Sequence, residues 1–219
     1  MKKISEKEII LIGEKAKIAS RLVSQIETKI KIEALDLAAE NLLKNKNSIL
    51  IENEKDVEEN RNKLTSSTLD RLILDEKRIN SFSNGLIEIS KLEDPVGKIL
   101  GEWSRPNGLH IEKVSIPLGV IGVIYESRPN VAADAAGLCL MSGNSLILRG
   151  GSESFHSSSK IVEIIKKSYD KFKLPYGTLQ YIPTKDRSAV GYLLKMDKFV
   201  DVIIPRGGKS LIERVSNES

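Results

Sequence analysis

Four short apolar segments recur between residues 120 and 204, and each is followed by a stretch that reads as helix. Val120–Tyr125 is nearly continuous in apolar side chains, as a strand covered on both faces requires. Ser145–Leu148, Leu179–Ile182 and Val200–Ile204 read as the other strands, at intervals of roughly 25 residues. Val131–Met141, Ser157–Phe172, Ser188–Leu194 and Lys209–Val215 read as the intervening and closing helices. Consecutive strands joined through a helix must run the same way, so the pattern predicts an α/β fold with a parallel sheet. Ligands of such sheets lie beyond the carboxyl ends of the strands. Those ends are Tyr125–Asn130, Arg149–Ser152, Pro183–Asp186 and Pro205–Ser210.

The preceding residues read as a helical layer. Ser5 with Glu8 forms a capping box, and Ile9, Ile12, Ala16, Ala19, Val23, Ile26 and Ile30 follow at helical spacing. Further helices are expected near Ile30–Leu43, Ile49–Lys63 and Leu69–Leu74, and Asp75 is placed to cap a helix through Ile79, Phe82, Leu86 and Ile89. Asp94-Pro95, Gly101 and Pro106-Asn107-Gly108 then break the pattern. Leu109–Ile116 alternates apolar and polar side chains, as a half-exposed strand would. No chemistry is expected from the helical layer.

Charge separates the two parts. Residues 1–100 hold 18 basic and 18 acidic side chains with three glycines, so the net +4 resides in the glycine-rich remainder. Glycine beside a basic residue suits backbone approach to phosphate, which directs the search there. No basic run interleaves with aromatics, so nucleic acid is not an expected partner. One cysteine excludes an intrachain disulfide, and two distant histidines give no Cys/His zinc pattern, so no metal is expected. The basic start Met1–Lys3 is interrupted by Glu6, Lys7 and Glu8, and no run reaches the ~18 apolar residues of a membrane span. A soluble protein of a reduced, cytoplasmic compartment is expected.

Gly207-Gly208-Lys209-Ser210 has the ending of a Walker A loop, but position 203, where that loop needs glycine, is Ile203 within a strand. Two glycines opening a helix can still offer free N–H groups and a positive dipole end to an anion, with Arg206 adjacent. Arg149-Gly150-Gly151 repeats the arrangement, and two such turns on one sheet edge suit a bridging dinucleotide. A tight turn with a surface arginine is the alternative for each. No G-x-G-x-x-G fingerprint occurs.

Longer runs carry a resemblance. Pro117–Val131, containing Tyr125-Glu126-Ser127-Arg128-Pro129-Asn130, Gly137–Gly151 and Met196–Gly208 resemble the gamma-glutamyl phosphate reductase family of the aldehyde dehydrogenase superfamily. So do Leu69-Asp70-Arg71-Leu72 and Asp94-Pro95-Val96-Gly97. The resemblance implies an aldehyde-dehydrogenase-like, Rossmann-type parallel sheet preceded by a helical N-terminal layer. Residues 1–105 would form that layer, and residues 106–219 the NADP-binding part with the start of an oligomerisation strand. It implies NADPH-dependent reduction of L-glutamate 5-phosphate to the semialdehyde and phosphate, in proline biosynthesis, and a homodimer in the complete protein.

The family attacks its acyl phosphate with a cysteine of a separate catalytic domain. The one cysteine here, Cys139, lies in an apolar helix and reads as buried and inert. The chain is therefore expected to be the amino-terminal, cofactor-binding portion, inactive alone. Arg149, Gly150, Gly151, Arg206, Gly207 and Gly208 are the implied cofactor-binding residues, with Arg149 tolerating a 2′-phosphate. Asn130 is the implied oxyanion donor, and Arg128 the ligand of the substrate's phosphate or carboxylate. For both residues, capping the following helix is the alternative. A non-catalytic dinucleotide-binding module, or a dehydrogenase of free aldehydes, remains the competing reading. His110 and His156 are assigned no chemistry.

Overall fold

A computed structural model describes residues 4–219; the basic start Met1–Lys3 lies outside the described residues. α1 (Glu6–Val23) opens on the expected reciprocal cap, in which Ser5 N donates to Glu8 Oε2 at 2.8 Å and Glu8 N to Ser5 Oγ at 3.3 Å. α2 (Thr28–Lys44), α3 (Lys46–Asn60), the short α4 (Ser66–Leu72) and α5 (Glu76–Ser90) follow. Asp75 caps α5, accepting the N–H of Arg78 at 2.6 Å.

Within the expected break, β1 (Ile99–Ser104) pairs antiparallel with β2 (His110–Val114), turning through residues 105–109. β1 is a strand the sequence reading did not find. Nearly every residue of both strands is exposed, so the alternation that marks β2 does not cover a core, and β1, with its register irregular between Ile99 and Gly101, carries no such alternation. The hairpin also straddles the expected boundary between residues 105 and 106.

The remaining elements are β3 (Val120–Tyr125), α6 (Val131–Met141), β4 (Ser145–Gly150), α7 (Phe155–Lys171), β5 (Leu179–Tyr181), α8 (Ser188–Leu194), β6 (Val202–Arg206) and α9 (Lys209–Glu218). All neighbouring strands are parallel, in the order β5-β4-β3-β6. β3 and β4 are the two inner strands, and all six residues of each are buried, the pattern expected of a strand covered on both faces.

One face of the sheet (Ile121, Val123, Tyr125, Leu146, Leu148) joins α2, α3, α5, α6 and α7 in the larger core. The other (Val120, Ile124, Ile147) joins α1, α8 and α9. The helical layer therefore covers both faces, with α1 alone crossing to the second. Gly177 permits that crossing: a Cβ there would strike the Lys15 carbonyl, a backbone atom that cannot yield.

Polar anchors fix the layer where apolar packing alone would not. Lys31, on the buried face of α2, donates to Asp94 Oδ2 at 2.7 Å, and Thr28 Oγ1 and Val96 N also donate to that carboxylate. Desolvation pushes the Asp94 carboxyl up, but the Lys31, Val96 and Thr28 hydrogen bonds outweigh it and hold it below the usual carboxylate range. A depressed folded-state value means stability present above the unfolded pKa of about 3.9 and lost as pH falls through the folded one. Lys31→Ala is expected to lower the urea-unfolding free energy at pH 7 by about 2 kcal/mol, by leaving the partly covered Asp94 carboxylate without its cation. Its deficit relative to the parent should narrow below about pH 4, as Asp94 protonates.

Candidate functional site

The strand order reverses between β3 and β6, so the chain leaves their carboxyl ends in diverging directions and opens a crevice there. On the α8–α9 side lies a hollow of about 490 Å³, into which Arg149, Glu153, Arg187, Ser210 and Arg214 converge. Arg149 is 5% exposed. Its guanidinium donates to the Gly150 carbonyl at 2.7 Å and the Asp186 carbonyl at 3.2 Å, while Nε has no partner among the described residues. Desolvation lowers its pKa from the ordinary arginine value, but the group remains a cation at neutral pH.

Gly208 is the N-cap residue of α9, and the carboxylate of Glu126 already sits on that terminus, accepting the Gly208 N–H at 2.8 Å. Glycine at 207 leaves room for this contact, since a Cβ there would meet the Glu126 carboxylate and the Leu211 side chain. The next residue, Ser127, holds a left-handed φ of 52°, which costs a non-glycine residue roughly 1 kcal/mol or more. Glu153 offsets that strain by accepting from Ser127 N at 2.7 Å and Ser127 Oγ at 2.8 Å. The loop after β3 is thus held from two sides by carboxylates, in a conformation that a free chain would avoid.

Gly150 and Gly151 have local reasons to be glycine. A Cβ on Gly150 would strike the Tyr125 ring, and one on Gly151 the Glu153 carboxylate. Nor do they open directly into a helix. A short 3-10 turn, Ser152–Ser154, intervenes, and the first amides of α7 are capped by buried Asp56, which accepts from His156 N at 3.0 Å and Ser157 N at 2.8 Å. Desolvation raises the Asp56 carboxyl above its ordinary value, although these hydrogen bonds pull the other way.

The expectation that Arg149 and Arg206 share one hollow is corrected by the register. β4 and β6 each run two residues further than their apolar runs, so both arginines lie within strands and obey the alternation of side chains. Arg149 is level with Ile124 and Arg206 with Tyr125, which point to opposite faces. Arg206 instead joins Thr68, Arg71 and Arg128 around a second hollow, of about 540 Å³, which Glu126 and Ser127 separate from the first. A third, of about 500 Å³, adjoins it and is lined by Arg71, Arg128, Asn130 and Asp134. Asn130 stands at the N-cap position of α6 but its side chain accepts no capping hydrogen bond; its amide donates to Asp134 Oδ2 at 2.9 Å.

Thr68 and Arg71 come from α4, in the layer expected to carry no chemistry. Buried Asn53 fixes the end of that helix, donating to the Leu72 carbonyl and accepting the Leu74 N–H, at 2.8 and 2.7 Å. Arg78 also clamps it, through Asp70 Oδ1 at 2.8 Å and the Ile73 carbonyl at 2.6 Å. Arg187 and Arg214 were likewise not singled out; nothing in their spacing marks them, because the fold brings them to Arg149. Arg71 had one signal, its place in a run shared with the family. Elsewhere, the hairpin register gathers Glu102, His110 and Glu112 on an exposed face with their ligating atoms within 4.8 Å, a grouping that linear spacing hides.

The sequence profile of the aldehyde dehydrogenase family matches residues 1–219. The chain is 48% identical over 214 residues to the gamma-glutamyl phosphate reductase of Clostridium tetani, a match covering 97% of this chain and 50% of that one. It is 51% identical over 212 residues to the protein of the same name from Rhodospirillum rubrum, covering 96% and 50%. The crystal structure of the Thermotoga maritima gamma-glutamyl phosphate reductase superposes with a TM-score of 0.94 at 35% identity, covering 97% of this chain and 51% of that one. An acetylating aldehyde dehydrogenase of Geobacillus thermoglucosidasius shares the fold, with a TM-score of 0.75 at 14% identity over 98% and 44% of the two chains. The chain spans about half the length of the curated relatives it matches.

Cys139 is buried in α6, and burial pushes its thiol up to about 12. At pH 8 the native chain should therefore leave a disulfide reagent such as DTNB unreacted over minutes. After denaturation it should release one equivalent of thionitrobenzoate.

Proposed function

The chain belongs to the aldehyde dehydrogenase family, and from that premise we propose that it is the dinucleotide-binding portion of a gamma-glutamyl phosphate reductase. The reaction would be the NADPH-dependent reduction of L-glutamate 5-phosphate to L-glutamate 5-semialdehyde and phosphate, a step toward proline in the cytoplasm. Support comes from the relatives' names and from one observation in particular, the buried Arg149 side chain lining one hollow together with Arg187 and Arg214. Three guanidiniums around one hollow suit a phosphate-bearing ligand.

NADPH fits the residues present. Arg149, with Arg187 and Arg214 in the same hollow, would hold the adenosine 2′-phosphate; Gly151 borders this hollow and Gly150 precedes it on β4. The first-turn amides of α9, reached over Gly207 and Gly208, would receive the pyrophosphate, with Arg206 flanking from the opposite face. Glu126, now on the Gly208 amide, would share or yield that position. When bound, the cofactor supplies hydride. Arg128 would bind an anionic group of the substrate, and the second amide hydrogen of Asn130 would donate to the oxygen of the reacting carbonyl. The nucleophilic thiol is not Cys139, so turnover belongs to a protein that adds a reactive cysteine to this chain. Pairing through the exposed β1–β2 hairpin would make that protein a homodimer.

The buried thiol also favours a second reading, a dinucleotide-binding module without catalysis. An assay of the protein from its native source separates the two. NADP⁺ reduction by the semialdehyde that depends on added phosphate supports the reductase. NADPH binding without turnover supports the module, and turnover without any phosphate requirement points to a dehydrogenase of free aldehydes. For the cofactor itself, Arg149→Gln should weaken NADPH binding about tenfold by calorimetry and NADH binding much less. Equal losses would remove Arg149 from the 2′-phosphate.

A further inference from the structure

His156, in the first turn of α7, stands where three segments meet. Its Nε2 lies 3.3 Å from Lys185 Nζ, on the loop after β5, and 3.3 Å from Glu59 Oε1, near the end of α3. Lys185 and Glu59 are themselves ion-paired. One ring nitrogen cannot serve both neighbours. Without a proton it accepts from the Lys185 ammonium; with one it donates to the Glu59 carboxylate and meets Lys185 as a like charge. Imidazole is the side chain that changes charge between about pH 5 and 8. Glu59 does not change with it, because the Lys185 hydrogen bond above all holds its carboxyl below the usual range. The other charged groups around the ring are engaged: Glu52, 3.8 Å from Nδ1, with Lys55, Asp56 with the His156 and Ser157 amides, and Lys160 with Glu163. The His156 and Lys185 side chains are 27% and 24% exposed, so water screens their encounter only in part.

Lys185 is the first of three consecutive residues that tie this triad to the hollow of Arg149. The Asp186 carbonyl accepts from Arg149 at 3.2 Å, and Arg187 lines the hollow. We propose that His156 is a positioning residue for the nucleotide: uncharged, it completes with Glu59 a clamp on Lys185 that sets the loop after β5 against Arg149, and on protonation it releases that loop. The assignment deepens the reductase reading and rests on it for the identity of the ligand, whereas the clamp itself does not. His156 touches no ligand and acts only through Lys185. Proton and nucleotide binding are then linked, so affinity falls on acidification by more than protonation of the 2′-phosphate, near pH ~6, accounts for.

Two measurements on the full chain, each at about pH 7.5 and about pH 5.5, test this. Hydrogen exchange, corrected for its intrinsic pH dependence, reads the loop through the Thr184, Asp186 and Ser188 amides, all of which are hydrogen-bonded. Their protection in the unliganded parent should fall about fivefold on acidification. His156→Gln, which offers Lys185 a neutral acceptor at either pH, should keep protection constant; His156→Arg, permanently charged, should show the low value at both. Calorimetric affinity for NADP⁺ should follow the same order, the parent losing about fivefold more than His156→Gln. The proposal is overturned if protection in the parent does not change, or if His156→Gln keeps the change, which would assign it to another group such as Asp56. It is also overturned if the loop responds while the NADP⁺ affinities of parent and His156→Gln fall together. A loop that responds as stated in a chain binding no NADP⁺ at either pH would keep the clamp and remove the cofactor reading.

Discussion

Strand β3 is hydrogen-bonded along both edges and covered on both faces, and the position of every candidate residue follows from that. It comes first among the parallel strands in sequence but third in the sheet, so the chain must build outward through β4 and β5 before returning to place β6 on the free side. The return forces the loops after β3 and β6 apart at their carboxyl ends. Glu126, at the parting, lines both hollows and caps α9, so a single carboxylate joins the two halves of the crevice.

Around that centre, buried polar groups act as fasteners between segments distant in sequence. Asp56 of α3 accepts the first amides of α7 across an interval of 100 residues. Asn53, one turn earlier, holds the α4–α5 connection. These contacts are costly to desolvate and specific once satisfied, so they fix α3, α4 and α7 relative to one another where apolar packing would tolerate sliding. The site thereby gains rigid walls from a region with no glycine-rich loop of its own.

Much of the fold was legible because it is written locally. The Ser5–Glu8 box, the Asp75 cap and the apolar run of β3 each name their structure within a few residues. β1 was hidden because its residues, Ile99-Leu100-Gly101-Glu102-Trp103-Ser104, do not alternate as those of its partner β2 do. The site was legible as a set of loops but not as an arrangement. Whether Arg149 and Arg206 face each other depends on where each strand ends, and a shift of one residue sends a side chain to the other face. Arg71 and Arg187 depend on contacts that no spacing encodes. The glycines were found for a partly different reason: Gly150 and Gly151 make way for Tyr125 and Glu153, not for a helix-borne anion.

The hairpin carries Trp103, the sole tryptophan of the chain, with 44% of its surface open. Both hydrophobic cores are built without an indole. Intrinsic fluorescence excited at the red edge would therefore follow events at the arm, such as its coverage by another polypeptide, and stay nearly blind to the sheet. A denaturation curve recorded by that emission would trace the periphery, and circular dichroism would be needed to see the interior give way.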